Sequence, residues 1–437
     1  MSQRGSSAGE VADHFFRHEG AKVVATLTGH LGTHRLQLVE DVVQEALLRA
    51  LQTWSYQGVP ANPAAWVVQV AKNLALTALK REQNWNDKQD GIAAEHERWL
   101  SAPPNDMPDE TISDDTLRMM FVCFHPELAT DAQTALALRT LCGFSPAEIA
   151  AAFISSETAI AKRLVRARQR IRELALPFVV PEPAELSARL DGVLHTLYLL
   201  FNEGYKASAG DHLVRADLCH EAIRLVTLLT EHPATREPRA FALLALMLLN
   251  VARFSARTDD AGNLLRLHEQ DRTAWDQTMI ERGILCLRHA SQGGTVSIYH
   301  IEASIAATHC IAAESSATDW PRILALYDQL LALTGSPVTA MNRAVAVARV
   351  HGPQAGLDAL DSIQRRYLLE AHHLYHAIRG TFAAELGHPK DALTHFRQAA
   401  KLATLPAERD FIARRIEECG GFTPDAAAPN GVKPLQG

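Results

Sequence analysis

The chain has 437 residues, 47% hydrophobic and 21% charged, with a mean hydropathy of −0.08. That balance fits a soluble globular protein of roughly three domains and excludes fibrous and low-complexity classes. A net charge of −7 excludes a general nucleic-acid coat, no run approaches the ~18 apolar residues of a membrane span, and the polar start Met1–Glu10 lacks a secretory h-region, which predicts a cytoplasmic protein.

Apolar residues recur at three- and four-residue spacing and Ala, Leu, Arg, Glu and Gln dominate, so the predicted fold class is all-α. The first helical block runs to residue 86. Within it, Val39–Leu51 repeats Val43, Leu47 and Leu51 on one face and leaves Asp41, Gln44, Glu45 and Arg49 on a polar one. Trp54–Pro60 reads as a loop whose aromatics, Trp54 and Tyr56, either stack on unpaired bases or plug the core. Asn62 suits a helix N-cap and Pro63 the first helical position. The helix they open carries Trp66 and a stripe of Gln69, Lys72, Asn73 and Lys80 with Arg81 beside it, and has no acid between Trp66 and Arg81. Such a neutral-to-basic stripe suits a phosphate backbone and base edges.

Residues 87–115 hold nine acids against Lys88 and Arg98, with Pro103, Pro104 and Pro108, and read as an extended acidic linker. The second block, 116–176, contains the capping box Ser145-Pro146-Ala147-Glu148, a helix to Phe153, a turn at Ile154-Ser155-Ser156, and a second helix. From Ser155 to Arg172 there are six bases and one acid. Ile149, Phe153, Ile160 and Leu164 would form the core between the two helices, which is the pattern of a helix-turn-helix. Thr158, Ala159, Lys162 and Arg163 are placed for base edges, Arg166 and Arg170 for phosphates.

Pro177–Pro183 is a proline-punctuated hinge, followed by a helical extension, 184–290. Beyond it, 291–420 shows a repeat: 33 residues separate Tyr327 from Leu360 and 36 separate Leu360 from Phe396, with Gly380, Ala392, Phe396 and Ala399 at small and large positions of a tetratricopeptide-like pattern. A stacked array of this kind has a groove suited to a protein or peptide partner. The Ala-, Pro- and Gly-rich tail 421–437 reads as disordered.

The six cysteines are scattered without a C-x-x-C pair, which points to reduced thiols. His372, His373 and His376 have metal-ligand spacing, but no Cys or paired acid completes a site, and Glu203 has no nucleophile or second carboxylate to join it. No cofactor, metal or catalytic constellation is expected.

In this order the blocks resemble the extracytoplasmic-function sigma subunits of bacterial RNA polymerase, over about residues 10–175, while 197–249 resemble the helical C-terminal extension of one subgroup. The resemblance implies an initiation factor without catalysis of its own. Asp41, Gln44, Glu45 and Arg49 would dock on the polymerase β′ subunit, as region 2.2. Trp54, Tyr56, Asn62, Trp66, Gln69, Lys72, Asn73, Lys80 and Arg81 would melt and read the −10 element, as regions 2.3 and 2.4. Thr158, Ala159, Lys162, Arg163, Arg166 and Arg170 would read the −35 element, as region 4, whose flank meets the β subunit. Ala161 and Lys162 stand where many members carry Lys and Ser, so the −35 sequence does not transfer. The implied partners are core RNA polymerase and promoter DNA, with no membrane, and an extension that tunes activity. Because the chain is acidic and its linked domains can mask one another, the free protein is expected to bind promoters poorly. The alternative is a conventional helix-turn-helix regulator with a repeat-type sensor domain, which would bind a duplex operator without polymerase.

Overall fold

The computed structural model describes residues 8–83, 109–152, 155–205, 215–259 and 264–420. Among them are 18 α-helices and no strand, apart from one isolated bridge between Thr258 and Leu264. The chain forms two compact units, Met1–Met247 with Arg288–Gly293, and Leu248–Leu287 with Gly294–Gly437.

The first unit begins with a three-helix bundle of α1 (Ala8–Leu31), α2 (Leu36–Gln57) and α3 (Pro63–Gln83). Its core is Leu27, Leu31, Leu36, Val39, Val43, Ala46, Ala50, Val67, Ala71 and Ala75, all nearly or fully buried. The inward stripe of α2 therefore runs 39, 43, 46, 50 rather than 43, 47, 51. Steps of four drift by about 40° each on a helix of 3.6 residues per turn, whereas alternating four and three stay on the seam. Leu51 ends up 50% exposed for that reason.

Next come α4 (Asp109–Cys123), α5 (Thr130–Thr140), α6 (Pro146–Ala152) and α7 (Glu157–Leu174). Residues 109–115, expected in an extended linker, are the first two turns of α4; the rest of that linker, 87–108, lies outside the described residues. Met119, Met120, Phe121, Leu136, Leu138, Phe144, Ile149, Ile160, Leu164 and Ile171 are buried. Two long helices follow, α8 (Pro183–Tyr205) and α9 (Ala216–Glu231). They approach closely at Gly204, where a Cβ would lie 2.8 Å from Cys219 Sγ and 2.9 Å from the Arg215 carbonyl oxygen. Then comes α10 (Pro238–Val251), apolar on every face; Pro238–Ala256 would be long and apolar enough to cross a membrane, but 67% of that stretch is buried, as in a core helix.

After α11 (Gln277–Ala290) the second unit builds paired helices: α12 (Ile298–Ile311), α13 (Trp320–Thr334), α14 (Pro337–His351), α15 (Pro353–Asp361), α16 (His373–Glu385), α17 (Pro389–Leu402) and α18 (Pro406–Glu418). The division between units passes through α10 and α11, not after residue 290. Starts at Trp320, Pro353 and Pro389 carry the 33- and 36-residue spacing. Three successive core clusters center on Ile323 and Leu330, on Leu360 and Phe382, and on Phe396 and Ile412. Gly380 sits under the Phe396 ring, where a Cβ would be 2.9 Å from the ring carbons. The tail 421–437 lies outside the described residues.

His309, packed edge-on to Trp320 with ring centroids 5.3 Å apart, has its pKa pushed down to about 4, first by burial and then by Arg253 and Arg272. In an unfolded chain the same ring takes its proton near pH 6.5. Between those values the unfolded state binds the extra proton, so stability is full above about pH 6.5 and falls as the pH drops towards 4, by up to about 3 kcal/mol. The urea midpoint of the second unit should fall over that window, and His309→Gln should flatten the dependence.

Candidate nucleic-acid interface

On α2, Asp41, Gln44, Glu45 and Arg49 are exposed along one side. Arg49 Nε donates to Glu45 Oε1 at 2.8 Å and Gln37 Nε2 to Asp41 Oδ1 at 2.9 Å. Gln44 Oε1 accepts from Arg139 Nη2 of α5 at 3.0 Å. Leu48 and Leu51, about half exposed, lie among these polar groups. The exposed pairs contribute little to stability, and the face as a whole is a mixed polar and apolar surface.

The helix does not stop before the aromatics. Trp54 and Tyr56 belong to the last turn of α2, which ends at Gln57; Gly58 follows, and its φ of +80° turns the chain while its N–H donates to the Trp54 carbonyl at 3.1 Å. The expected loop thus shrinks to 58–62. Its far end is capped as expected: the Ala65 N–H donates to Asn62 Oδ1 at 3.0 Å, and Pro63 is the first residue of α3. Trp54 and Trp66 meet edge to face with centroids 5.5 Å apart, which orients both, while Tyr56 is 92% exposed. Gln69 Nε2 donates to Asn73 Oδ1 at 3.1 Å; Asn73, Lys80 and Arg81 are exposed and Gln69 half-buried.

Lys72 departs from the expected stripe. It is only 5% exposed, and burial pushes its pKa below the ordinary lysine value. Helical geometry explains this: Lys72 lies about 80° around the helix from Lys80, but only about 20° from buried Leu79. It belongs to the edge of the core rather than to the exposed stripe.

The helix-turn-helix is built by caps. The Ser145 N–H donates to Glu148 Oε2 at 2.7 Å and the Glu148 N–H to Ser145 Oγ at 3.2 Å, which opens α6; Ser156 Oγ accepts from the Ala159 N–H at 3.2 Å, which opens α7. Ile149, Ile160 and Leu164 lie in the core, while Phe153 and Ile154 fall outside the described residues. Thr158, Lys162, Arg166 and Arg170 are exposed on α7, and Ala159 and Arg163 half-buried. Acids from the preceding elements hold two of the arginines: Arg163 pairs with Asp131 at 2.9 Å and Arg170 with Glu127 at 3.0 Å.

A third arginine turns inward. Arg168 pairs with the buried carboxylate of Glu40 on α2, and Thr140 Oγ1 donates to Glu40 Oε1 at 2.7 Å. A cavity beside this cluster is lined by Val43, Gln44, Leu47, Arg139 and Thr140. Thr33 Oγ1 donates to the Leu176 carbonyl at 2.6 Å, and the Phe178 ring lies against Gly29. No sequence signal marked Glu40, Thr140 or Arg139, because their partners are remote in the chain.

Two arginines of the extension reach back to the helix-turn-helix module. Arg189 Nη2 donates to the Phe121 carbonyl, and Arg224 Nη2 to the Leu141 carbonyl, each at 2.9 Å. In the second unit His373 Nε2 lies 3.2 Å from Glu408 Oε1 and His376 stacks on His395. Among the described residues no group of three or more His, Cys, Asp or Glu is arranged to hold a metal ion.

Comparison with known proteins identifies three stretches. Residues 15–85 match the family model for Sigma-70 region 2, residues 118–171 that for Sigma-70 region 4, and residues 189–291 a family of unknown function, DUF6596. An uncharacterized protein of Rhizobium meliloti is 38% identical over 392 residues, 87% of this chain and 90% of the relative. A probable ECF RNA polymerase sigma factor of Mycobacterium tuberculosis, SigI, is 26% identical over 53% of this chain and 83% of its own length. The ECF RNA polymerase sigma-E factor of Haemophilus influenzae is 28% identical over 36% of this chain and 84% of its own length. No solved structure matches.

The reciprocal cap is the most local determinant of the helix-turn-helix. Ser145→Ala should cost about 1 kcal/mol of stability, measured as a lower urea midpoint, with Ser145→Thr near wild type.

Proposed function

Since the chain belongs to the extracytoplasmic-function group of the sigma-70 family, with a long C-terminal extension, we propose that its exposed helix faces divide the work of initiation between polymerase and promoter. It is a sigma factor, and its family consists of non-catalytic initiation factors that bind core RNA polymerase and promoter DNA. The observation that carries the reading is the pairing of two modules in one chain, region 2 at 15–85 and region 4 at 118–171. A conventional helix-turn-helix regulator has no use for the first.

On this reading Asp41, Gln44, Glu45 and Arg49, with the exposed Leu48 and Leu51 between them, form the polymerase-binding face on the β′ subunit. Tyr56 is the aromatic most available to stack on an unpaired base. Trp54 and Trp66 brace each other beside it, and Asn62, Gln69, Asn73, Lys80 and Arg81 line the single strand at the −10 element. Lys72 would join them only if α3 shifted on binding. In region 4 the N-terminal turns of α7 enter the major groove at the −35 element, with Thr158, Ala159, Lys162 and Arg163 toward the bases and Arg166 and Arg170 toward phosphates. The chain brings no catalytic site of its own and acts in the cytoplasm. The extension modulates initiation, supported by Arg189 and Arg224, which tie its first helices to the region 4 module. The paired helices of 320–418 offer the surface for a protein or peptide partner.

Run-off transcription with purified core polymerase tests the assignment. Lys162→Ala with Arg166→Ala should cut −35-dependent transcript at least tenfold, each lost contact costing roughly 1–3 kcal/mol, while co-elution with core polymerase stays at wild-type level. Unchanged transcription from this double variant would reject α7 as the reading helix.

A further inference from the structure

We infer that residues 264–275 form an internal clasp of the second unit, an irregular segment that ties the last helix of the array to α12 and so holds the stack at one curvature. Arginines fix both ends. At one end Arg414 of α18 donates from Nη2 to the Leu264 carbonyl at 2.8 Å, across 150 residues of sequence. At the other, Arg272 donates from Nη1 to the carbonyls of His309 and Ala312, each at 2.6 Å, and from Nη2 to Thr318 Oγ1 at 3.2 Å. Those carbonyls stand at the C-terminal end of α12, where the last C=O groups lack intrahelical donors and the dipole favors a cation.

Between the two ends, charges mark the path. The bond to Glu269 comes first in holding the Arg266 guanidinium charged, and Glu418 of α18 and Glu385 of α16 add to it. Partial burial, then Arg266, opposes protonation of His268, and Arg349 of α14 and Arg415 of α18 add to that. The segment thus runs past the C-terminal ends of α18, α16, α14 and α12, alternate helices of the array, in the reverse of their chain order.

This course does what the array cannot do for itself. Stacked helix pairs touch only their neighbors, so nothing in the stacking joins the last pair to the first helix. The tether also has little slack. Eight residues of extended chain reach at most about 28 Å, and four helices side by side at 8–10 Å span roughly as much. A turn in which the Glu269 N–H donates to the Arg266 carbonyl at 2.9 Å takes up part of that reach. Each end is set in packed structure: Arg272 lies over the ring of buried Trp275, 4.8 Å from its centroid, and Arg415, next to Arg414, lies over Phe396, 5.3 Å from its centroid. Flattening the stack therefore breaks one set of arginine bonds or the other. A peptide partner of the paired helices meets a surface shaped before it arrives, which lowers the ordering cost of binding.

The test is hydrogen exchange read by mass spectrometry on the full-length chain, and it needs neither polymerase nor DNA. Arg272→Ala should speed exchange in α17 and α18 at least tenfold, although Arg272 bonds to neither helix, because the last pair then opens on its own. Arg414→Ala should do the same. The double variant should stay within twofold of the faster single one, since opening either end frees the other. Arg397→Ala, which removes an exposed cation of α17 outside the clasp, should leave exchange unchanged. Thr318→Val, a variant of similar shape that deletes one acceptor, should speed α18 about threefold. Acceleration confined to α12 and the residues around Thr318 in Arg272→Ala overturns the clasp, as does a double variant whose acceleration is the product of the two single ones. Should Arg272→Ala fail to fold, exchange in α18 at the wild-type rate in Thr318→Val overturns it equally.

Discussion

Burying a carboxylate costs several kcal/mol unless charge and hydrogen bonds replace the lost water, and the arrangement of the first unit follows from how Glu40 meets that demand. Its neighbors on α2 are fixed by the seam of Val39, Val43, Ala46 and Ala50, which packs against α1 and α3. Glu40 then stands about 100° round from Val39, on the flank shared with Leu47 and Gln44. Two partners of Glu40 lie outside the three-helix bundle. They come from α5 and α7, as Thr140 and Arg168. Removing Arg168 leaves the Glu40 charge stranded in the interior, and removing the Thr140 hydroxyl takes away a hydrogen bond, so the geometry is held from both sides. Further ties, among them Thr33 to the Leu176 carbonyl and Phe178 on Gly29, join the same two modules at the far end of α7.

The same logic sorts the basic helix. Counted from sequence, Ser155–Arg172 is a uniformly cationic segment, yet its arginines have different fates. Arg168 is committed to the interior. Arg163 and Arg170 are held at the surface by Asp131 and Glu127, in exposed pairs of the kind worth at most about 1 kcal/mol. A phosphate can take over such an arginine at little cost, because its guanidinium is already extended and oriented. Lys162 and Arg166 are exposed on α7, and on the proposed reading they are the cations that a nucleic acid meets first.

What could be read from sequence was local. Asn62-Pro63 and the Ser145–Glu148 box specify helix starts through hydrogen bonds that span three residues, and both are formed. The 33- and 36-residue spacing reappears in the starts of α13, α15 and α17, because each helix pair buries its face on the next; Gly380 under Phe396 is one such small-on-large contact. Sequence and structure part where a neighbor decides. Trp54 and Tyr56 looked like loop residues, yet nothing before Gly58 breaks α2. The acids of 109–115 suggested an extended chain, but acidic residues also favor the first turn of a helix, where they face the positive end of its dipole, and α4 begins there. Lys72 carries the charge of the stripe, but its place beside Leu79 on the helix wheel puts it at the edge of the core. Arg168 and Glu40 carry no local mark at all; only the packing of two modules pairs them.

The extension follows the same rule of satisfied polar groups. The last carbonyls of a helix lack intrahelical donors, and a cation there also meets the negative end of the dipole. Phe121 lies in the last turn of α4 and Leu141 caps α5; their carbonyls accept from Arg189 of α8 and Arg224 of α9. Arg189 further lies over the Phe121 ring, 5.8 Å from its centroid, and Glu221 holds Arg224 in place at 2.9 Å. Each guanidinium thus finishes a helix end of the helix-turn-helix module. A displacement of that module from α2 breaks the Glu40 cluster but strands neither arginine, provided α8 and α9 move with it. The opposite partition, with α8 and α9 staying behind, would take these donors away from the two carbonyls. On that balance the beginning of the extension belongs with the helix-turn-helix module, whose helix ends Arg189 and Arg224 complete.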